Sequence, residues 1–176
     1  MAIRNYLIEG VSGAGKTSVA TELQRQGYHV LHGDRELAYK GDPITGETID
    51  VSALDRDSLD LTFGHRHHIW DVAKVRRIIE DKSHTTAFFC GGSRNFASFI
   101  DLFSAVFVLD VDAETLKQRL RVRPDDEFGS KPEEQEFVLQ LLATKEEIPL
   151  DAIFVDATAP LPVVVDNILS RCRAFG

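Results

Sequence analysis

Residues Gly10-Val11-Ser12-Gly13-Ala14-Gly15-Lys16-Thr17 follow the apolar segment Tyr6-Leu7-Ile8 and match the spacing G-x-x-x-x-G-K-(S/T) at every fixed position. Glycines let the backbone curl so that successive N–H groups turn inward on a polyphosphate. A strand delivers the loop, and a helix beginning near Lys16 aims its positive dipole end at the same anion. Lys16 is therefore expected to reach the β- and γ-phosphates, and Thr17 to hold Mg²⁺ through its hydroxyl. Gly10, Val11, Ser12, Gly13, Ala14, Gly15 and Ser18 complete the expected contact with the phosphate chain.

Working outward, the chain has 176 residues, of which 43% are hydrophobic and 27% charged, ordinary values for one globular domain and contrary to disorder or a repeat array. Twenty basic against 28 acidic residues leave a net charge of −8, which disfavours nucleic acid and an anionic membrane as partners. Cys90 and Cys172 stand far apart without metal-ligand spacing, so reduced thiols and a cytoplasmic setting are expected. Met1-Ala2-Ile3-Arg4 runs straight into the first strand and Ala105 to Leu109 is too short to span a bilayer, so neither export nor insertion is expected. The oligomeric state stays open between a monomer and a homodimer.

Short apolar runs alternate with amphipathic stretches, the pattern of a parallel sheet wrapped by helices, an α/β fold. The runs are Tyr6 to Ile8, His29 to Leu31, Thr86 to Phe89, Ala105 to Leu109 and Ile153 to Val155. Between them, Ser18 to Gln26 reads as a helix stopped by Gly27, and Ile69, Val72, Ala73 and Ile79 mark one face of a longer helix near Arg66 to Asp81. Phe96, Phe99, Ile100 and Phe103 predict a short buried helix. Asp112 reads as the cap of a helix carrying Leu116 and Leu120, Ser130-Lys131-Pro132-Glu133 as a capping box, and Pro160 as the start of the last helix. Gly41 to Arg56 and Arg123 to Lys131 lack periodicity, which makes them candidates for an acceptor site and a mobile lid.

Asp34 ends the second strand, where its carboxylate can take a proton from an attacking hydroxyl, hold that hydroxyl in line, or anchor Mg²⁺ through water; the plain alternative is a cap for Arg35 to Tyr39. Gly91 and Gly92 permit close approach of backbone to ligand, and Arg94 supplies a charged fork for a phosphate or carboxylate. Arg119 and Arg123 lie on one helix face at the hinge of the irregular segment, placed to neutralise charge on a transferred phosphoryl group. Val106 to Asp110 has the four-apolar-plus-aspartate form of a second Mg²⁺ motif, although Val111-Asp112-Ala113-Glu114 opens a helix and Asp110 reads first as a strand end. His65, His67 and His68 lack a partnering Cys or carboxylate pattern for zinc and read, with Arg66, as surface or acceptor-pocket residues.

With these residues laid out, nearly the whole chain resembles the small P-loop kinases typified by adenylate, shikimate and gluconate kinases. The likeness rests on Gly10 to Thr17, Gly33-Asp34, Gly91-Gly92 with Arg94, Phe107 to Val111, Arg119-Leu120-x-x-Arg123 and Val155 to Pro160. It implies a P-loop NTPase fold, three layers α/β/α around a five-stranded parallel sheet in the order 2-3-1-4-5, over a single domain 1–176. An acceptor-binding insertion would fall at about 41–81 and a short lid at about 123–131. It implies ATP as donor with Mg²⁺, Arg119 and Arg123 on ATP phosphates, Thr158, Ala159 and Pro160 against the adenine, and Asp34, Gly91, Gly92 and Arg94 facing the acceptor, with Arg66 added on that side. His32 stands where shikimate and gluconate kinases carry a further acidic residue, and Cys90 and Leu37 where adenylate kinases carry aspartate and arginine.

The expected activity is transfer of the γ-phosphoryl group to a small-molecule acceptor, a hydroxyl of a nucleoside, sugar or sugar acid. Rival readings are a nucleoside monophosphate kinase, a nucleotide-hydrolysing switch and a binding module. The switch lacks an N/T-K-x-D segment, and Asp126-Glu127-Phe128-Gly129 fits D-x-x-G only in letters, with no strand before it.

Overall fold

The computed structural model describes residues 3–55 and 59–175. Met1, Ala2 and Arg56, which belong to stretches read above, lie outside the described residues. Five parallel strands form the main sheet: β1 (Arg4–Glu9), β2 (His29–His32), β5 (Thr86–Cys90), β6 (Ala105–Asp110) and β7 (Ile153–Asp156). Their order is β2-β5-β1-β6-β7. Counted along the sheet's own strands, this is the expected 2-3-1-4-5. A second, two-stranded sheet pairs β3 (Ala38–Lys40) antiparallel with β4 (His68–Trp70), Ala38 opposite Trp70.

Alternation along each central strand divides the core between two faces. Tyr6 and Ile8 of β1, with Phe88 and Phe107 of its neighbours, pack against α1 (Lys16–Arg25), α5 (Ala113–Arg121), α6 (Pro132–Thr144) and α7 (Leu161–Ala174). Leu7, Phe89 and Val106 face the other way, onto Val75 of α4 (Val72–Glu80), Trp70 and Phe99. Two single-turn helices, α2 (Gly33–Glu36) and α3 (Phe63–Arg66), complete the α elements. All five apolar runs named from the sequence are strands.

Three local expectations are corrected. The helix expected near Arg66 to Asp81 is split: Ile69 and Trp70 are fully buried in β4, and the Asp71 carboxylate accepts from Lys74 N–H at 2.9 Å to start α4 afresh. Aromatic and β-branched residues with extended partners prefer the strand, and the apolar spacing ran across that boundary. The stretch 96–103 is not one helix but two 3₁₀ turns, Phe96–Ser98 and Ile100–Leu102, broken at Phe99, whose ring stacks on Trp70 at 5.6 Å. The cap of α6 lies one residue later than read: the Glu134 carboxylate accepts from Gly129 N–H at 2.8 Å and Lys131 N–H at 3.4 Å, while the Ser130 hydroxyl donates to the Asp125 carbonyl.

Parallel strands present their carboxyl ends at one edge, and β1, β2 and β5 are neighbours there. The loops that follow them, beginning at Gly10, Gly33 and Gly91, therefore converge. The connection leaving β1 runs toward β2 and the one leaving β5 runs the opposite way, past β1 to β6, so the ends of β1 and β5 flank the switch point where open α/β sheets bind ligands.

Candidate active site

Gly10, Gly13 and Gly15 hold φ of 154°, 86° and 108°, so the loop curls through backbone shapes that side chains resist. A Cβ at Gly13 would stand 3.0 Å from Leu116 Cδ1, and one at Gly10 3.1 Å from the Leu109 carbonyl oxygen. The loop is thus seated on α5 and β6. Lys16 Nζ folds over it and donates to the Gly10 carbonyl and, at 3.0 Å, to the Val11 carbonyl. Burial lowers the Lys16 pKa, against the opposing pull of Asp34 and Glu9.

Two cavities meet at this loop. One, about 500 Å³, is a groove along residues 12–19 of the loop and α1, bounded by Arg119, Ala157, Ala159, Leu161 and Val164. Arg119 closes its side: Nη1 donates to the Ala14 carbonyl at 3.0 Å and Nη2 to the Ala157 carbonyl at 2.7 Å. The second cavity, about 350 Å³, lies between the ends of β1 and β5, α3 and α6. Ser12, Lys16, Asp34 and Arg123 line both cavities.

Asp34 stands in α2, carried to the shared wall by β2. His68 Nε2, at the start of β4, lies 3.0 Å from Asp34 Oδ1. Burial pushes the Asp34 carboxyl up, but the His68 hydrogen bond, the Lys16 charge and the Gly92 N–H outweigh it and the net direction is down. Gly91 permits the approach: a Cβ there would come within 2.9 Å of Asp34 Oδ1. A Cβ at Gly92 would be 2.7 Å from Glu9 Oε1.

Arg94 lies in the second cavity with both ends of its fork engaged. Nη1 pairs with Glu147 Oε2, which also bonds His65 Nε2, and Nη2 faces Glu9 Oε1 at 3.9 Å. Glu9, the last residue of β1, is 4% exposed; Oε1 accepts from Gly10 N–H at 3.2 Å, and the buried Oε2 has no hydrogen-bond partner. Burial pushes the Glu9 carboxyl up to about 7 against the lowering pull of Arg94 and Lys16.

Most of the residues singled out from the sequence come together here. Lys16, Thr17, Ser18, Arg119, Arg123 and Ala159 line the groove, and Asp34, Gly92 and Arg94 the second cavity. Others do not line either. Arg66 pairs with Asp60 at 3.0 Å on an exposed surface. Thr158 lines a separate cavity with Asp110 and Asp156, its N–H donating to Asp156 Oδ1 at 2.9 Å, and Pro160 stands at the start of α7 outside the groove wall. Asp110, the candidate second Mg²⁺ residue, pairs with Lys145 at 2.7 Å away from both cavities.

Sequence reasoning missed Glu9, Glu147 and Lys40, and the apolar wall of Phe128, Val138, Leu141 and Ile148. Glu9 left a readable signal, a carboxylate in an otherwise apolar strand directly before the glycine loop. Glu147 left none, since Lys145-Glu146-Glu147 reads as a solvated charge run.

A glycine loop carried from a central parallel strand into a helix, with the strand order above, defines a P-loop nucleotide-binding fold of the small-kinase type. The chain belongs to the AAA domain family, whose model matches residues 7–140. Among solved structures it is similar to a shikimate kinase from Bacteroides thetaiotaomicron at 17% identity, covering 98% of this chain and 99% of that one with a TM-score of 0.61. It is similar to a sugar kinase from Janibacter sp. HTCC2649 at 20% identity, covering 96% and 93% with a TM-score of 0.57. A deoxyadenosine kinase from M. mycoides with bound dATP matches at 14% identity, covering 96% and 99% with a TM-score of 0.54. No curated protein sequence matches the chain. No helix among the described residues is long and apolar enough to cross a membrane.

Proposed function

We propose that the protein is an ATP- and Mg²⁺-dependent phosphotransferase that moves the γ-phosphoryl group to a hydroxyl of a small molecule, acting in the cytoplasm as one domain with an acceptor insertion at 41–81 and a lid at 123–131. The observation that carries this reading is the wall shared by the two cavities, Ser12, Lys16, Asp34 and Arg123. A donor in the groove and an acceptor in the second cavity would meet across it, the in-line arrangement phosphoryl transfer requires.

The loop fits a phosphate chain, because Gly10, Gly13 and Gly15 at positive φ give its backbone the curl such a loop needs, directly before the N-terminus of α1. Lys16 supplies the ammonium, and Thr17 with Asp34 would hold Mg²⁺, which neutralises charge on the phosphate oxygens when bound. Asp34 takes the hydroxyl proton as the acceptor oxygen bonds to the γ-phosphorus, and ADP departs with the broken bridging bond. Its lowered pKa keeps it ionised for that task. Arg123 stands on the shared wall to meet the charge of the transferred group, with Arg119 fixing the groove beside it. Arg94, Gly91 and Gly92 shape the acceptor side. Phe128, from the lid, touches the loop through its carbonyl, which accepts from the Ser12 hydroxyl at 3.3 Å, so a closed lid would keep water from the γ-phosphate.

The test is ADP release across nucleosides, sugars, sugar acids and nucleoside monophosphates, with Lys16→Ala and Asp34→Asn beside the parent protein. Acceptor-dependent release, lost by roughly a thousandfold in Lys16→Ala, is expected. Full turnover in Asp34→Asn would remove its assigned role. Release that no acceptor raises above background would overturn the reading in favour of a hydrolytic switch or a binding module.

A further inference from the structure

Among the described residues, the acceptor cavity has two unlike walls. One is apolar, built by Phe128, Val138, Leu141 and Ile148. The other carries the carboxylates of Glu9, Asp34 and Glu147 and four cations, Lys16 and Arg123 on the wall shared with the groove and Arg94 and Lys40 beyond it. All four are already engaged: Lys16 by the Gly10 and Val11 carbonyls, Arg123 by Glu127, Arg94 by Glu147 with Glu9 facing its other nitrogen, and Lys40 by the Gly64 carbonyl. Yet Glu9 Oε2 is buried and lacks any donor.

We infer that the acceptor is an uncharged or cationic hydroxyl compound with one apolar face, and that Glu9 selects it by accepting a hydrogen bond from it; this rests on the phosphotransferase reading. A carboxylate or phosphate acceptor would have to lie against Glu9 and Glu147 and draw Arg94 out of its pairing, leaving the buried Glu9 and the half-buried Glu147 without that cation. A hydroxyl or ammonium does the reverse, supplying a donor where Oε2 has none. Burial holds the Glu9 carboxyl near neutrality in pKa, so it bonds a hydroxyl in either protonation state and ionises readily against an ammonium.

The experiment measures kcat and KM for ADP formation with matched acceptors, glucose, glucosamine and gluconate, and adenosine against its monophosphate, with the Mg-ATP dissociation constant measured by calorimetry in parallel. The neutral or aminated member of each set is expected to exceed its anionic counterpart by about tenfold or more in kcat/KM. Glu9→Gln and the nearly isosteric Glu9→Met should raise acceptor KM, Glu9→Met by about tenfold, with kcat changing less and Mg-ATP affinity unchanged. The unchanged nucleotide affinity shows that the variants are folded. Glu147→Gln should release the Arg94 fork and raise activity on gluconate. If an anionic acceptor is preferred, or if both Glu9 variants keep the parent KM, the inference fails while the phosphotransferase reading stands. If no acceptor raises ADP release although Mg-ATP binds, the phosphotransferase reading itself fails.

Discussion

His68 Nε2 lies 3.0 Å from Asp34 Oδ1, so a residue of the small antiparallel sheet steadies a carboxylate carried by the main one. The histidine is delivered by β4, which pairs with the strand directly after α2, and the two sheets are thereby joined at the point where transfer is proposed.

Loss of that histidine should show in a pH profile. Asp34 is depressed below its ordinary value despite burial, with the His68 hydrogen bond the first of the opposing causes. A base of lowered pKa works down to acidic pH and fails as pH falls through that pKa. His68→Phe should move the acidic limb of kcat/KM upward, with the plateau at higher pH lowered far less. An unmoved limb would show that Asp34 is steadied by other groups.

Glu9 should make stability depend on pH in the opposite sense to a salt-bridged carboxylate. Its folded pKa of about 7 lies above its ordinary value of 4.5, so the folded state holds the proton more tightly. Between those limits stability falls as pH rises, and the full effect, on the order of 3 kcal/mol, is present above the folded pKa. Glu9→Gln is therefore expected to match the parent in Tm near pH 4.5 and exceed it above pH 7. Parallel Tm curves across that range would contradict this.

Arg119 holds the Ala14 and Ala157 carbonyls with two nitrogens of one planar fork. Lysine offers a single nitrogen and cannot span both in the same way. Arg119→Lys should weaken Mg-ATP binding by about tenfold in calorimetry, roughly 1.4 kcal/mol, while leaving acceptor KM little changed. An effect confined to the acceptor would be inconsistent with its place in the groove.

Gly33 owes its identity to space. A Cβ there would come within 2.0 Å of Trp70 Cζ2, an atom of a fully buried ring. Gly33→Ala should cost about 1–3 kcal/mol and lower Tm by roughly 3–10 °C for a chain of this size. Gly27→Ala is the contrast: it meets no atom within 4 Å and strains only its φ of 90°, so its cost should stay near 1 kcal/mol. Equal effects at the two positions would refute the steric argument.

Much of the frame was legible because buried parallel strands leave short apolar runs that punctuation residues separate. Tyr6 to Ile8 and Ala105 to Leu109 were readable as strands, and the glycine loop between β1 and α1 is a local pattern. Ile69 reads as helical because β4 and α4 adjoin at Asp71 with no break in apolar spacing, and only the pairing with Tyr39 decides between strand and helix. Ser130 looked like the cap of α6, yet the proline after Lys131 sets the first helical position one residue further on. At the site, Asp34 and Arg94 were found because each follows a strand end. That Arg94 meets Glu147 depends on α6 folding across the cavity, a relation over 53 residues that no local window contains.

The Arg94–Glu147 pairing also bears on how the protein is made. The glycine loop is made before the residues that brace it, since Arg119 follows 105 residues after Ala14, and Glu147 later still. A nascent chain that ends at β5 carries the glycine loop but neither Arg119 nor the far wall of the second cavity. The two cavities therefore take shape only after α6 and β7 have been made.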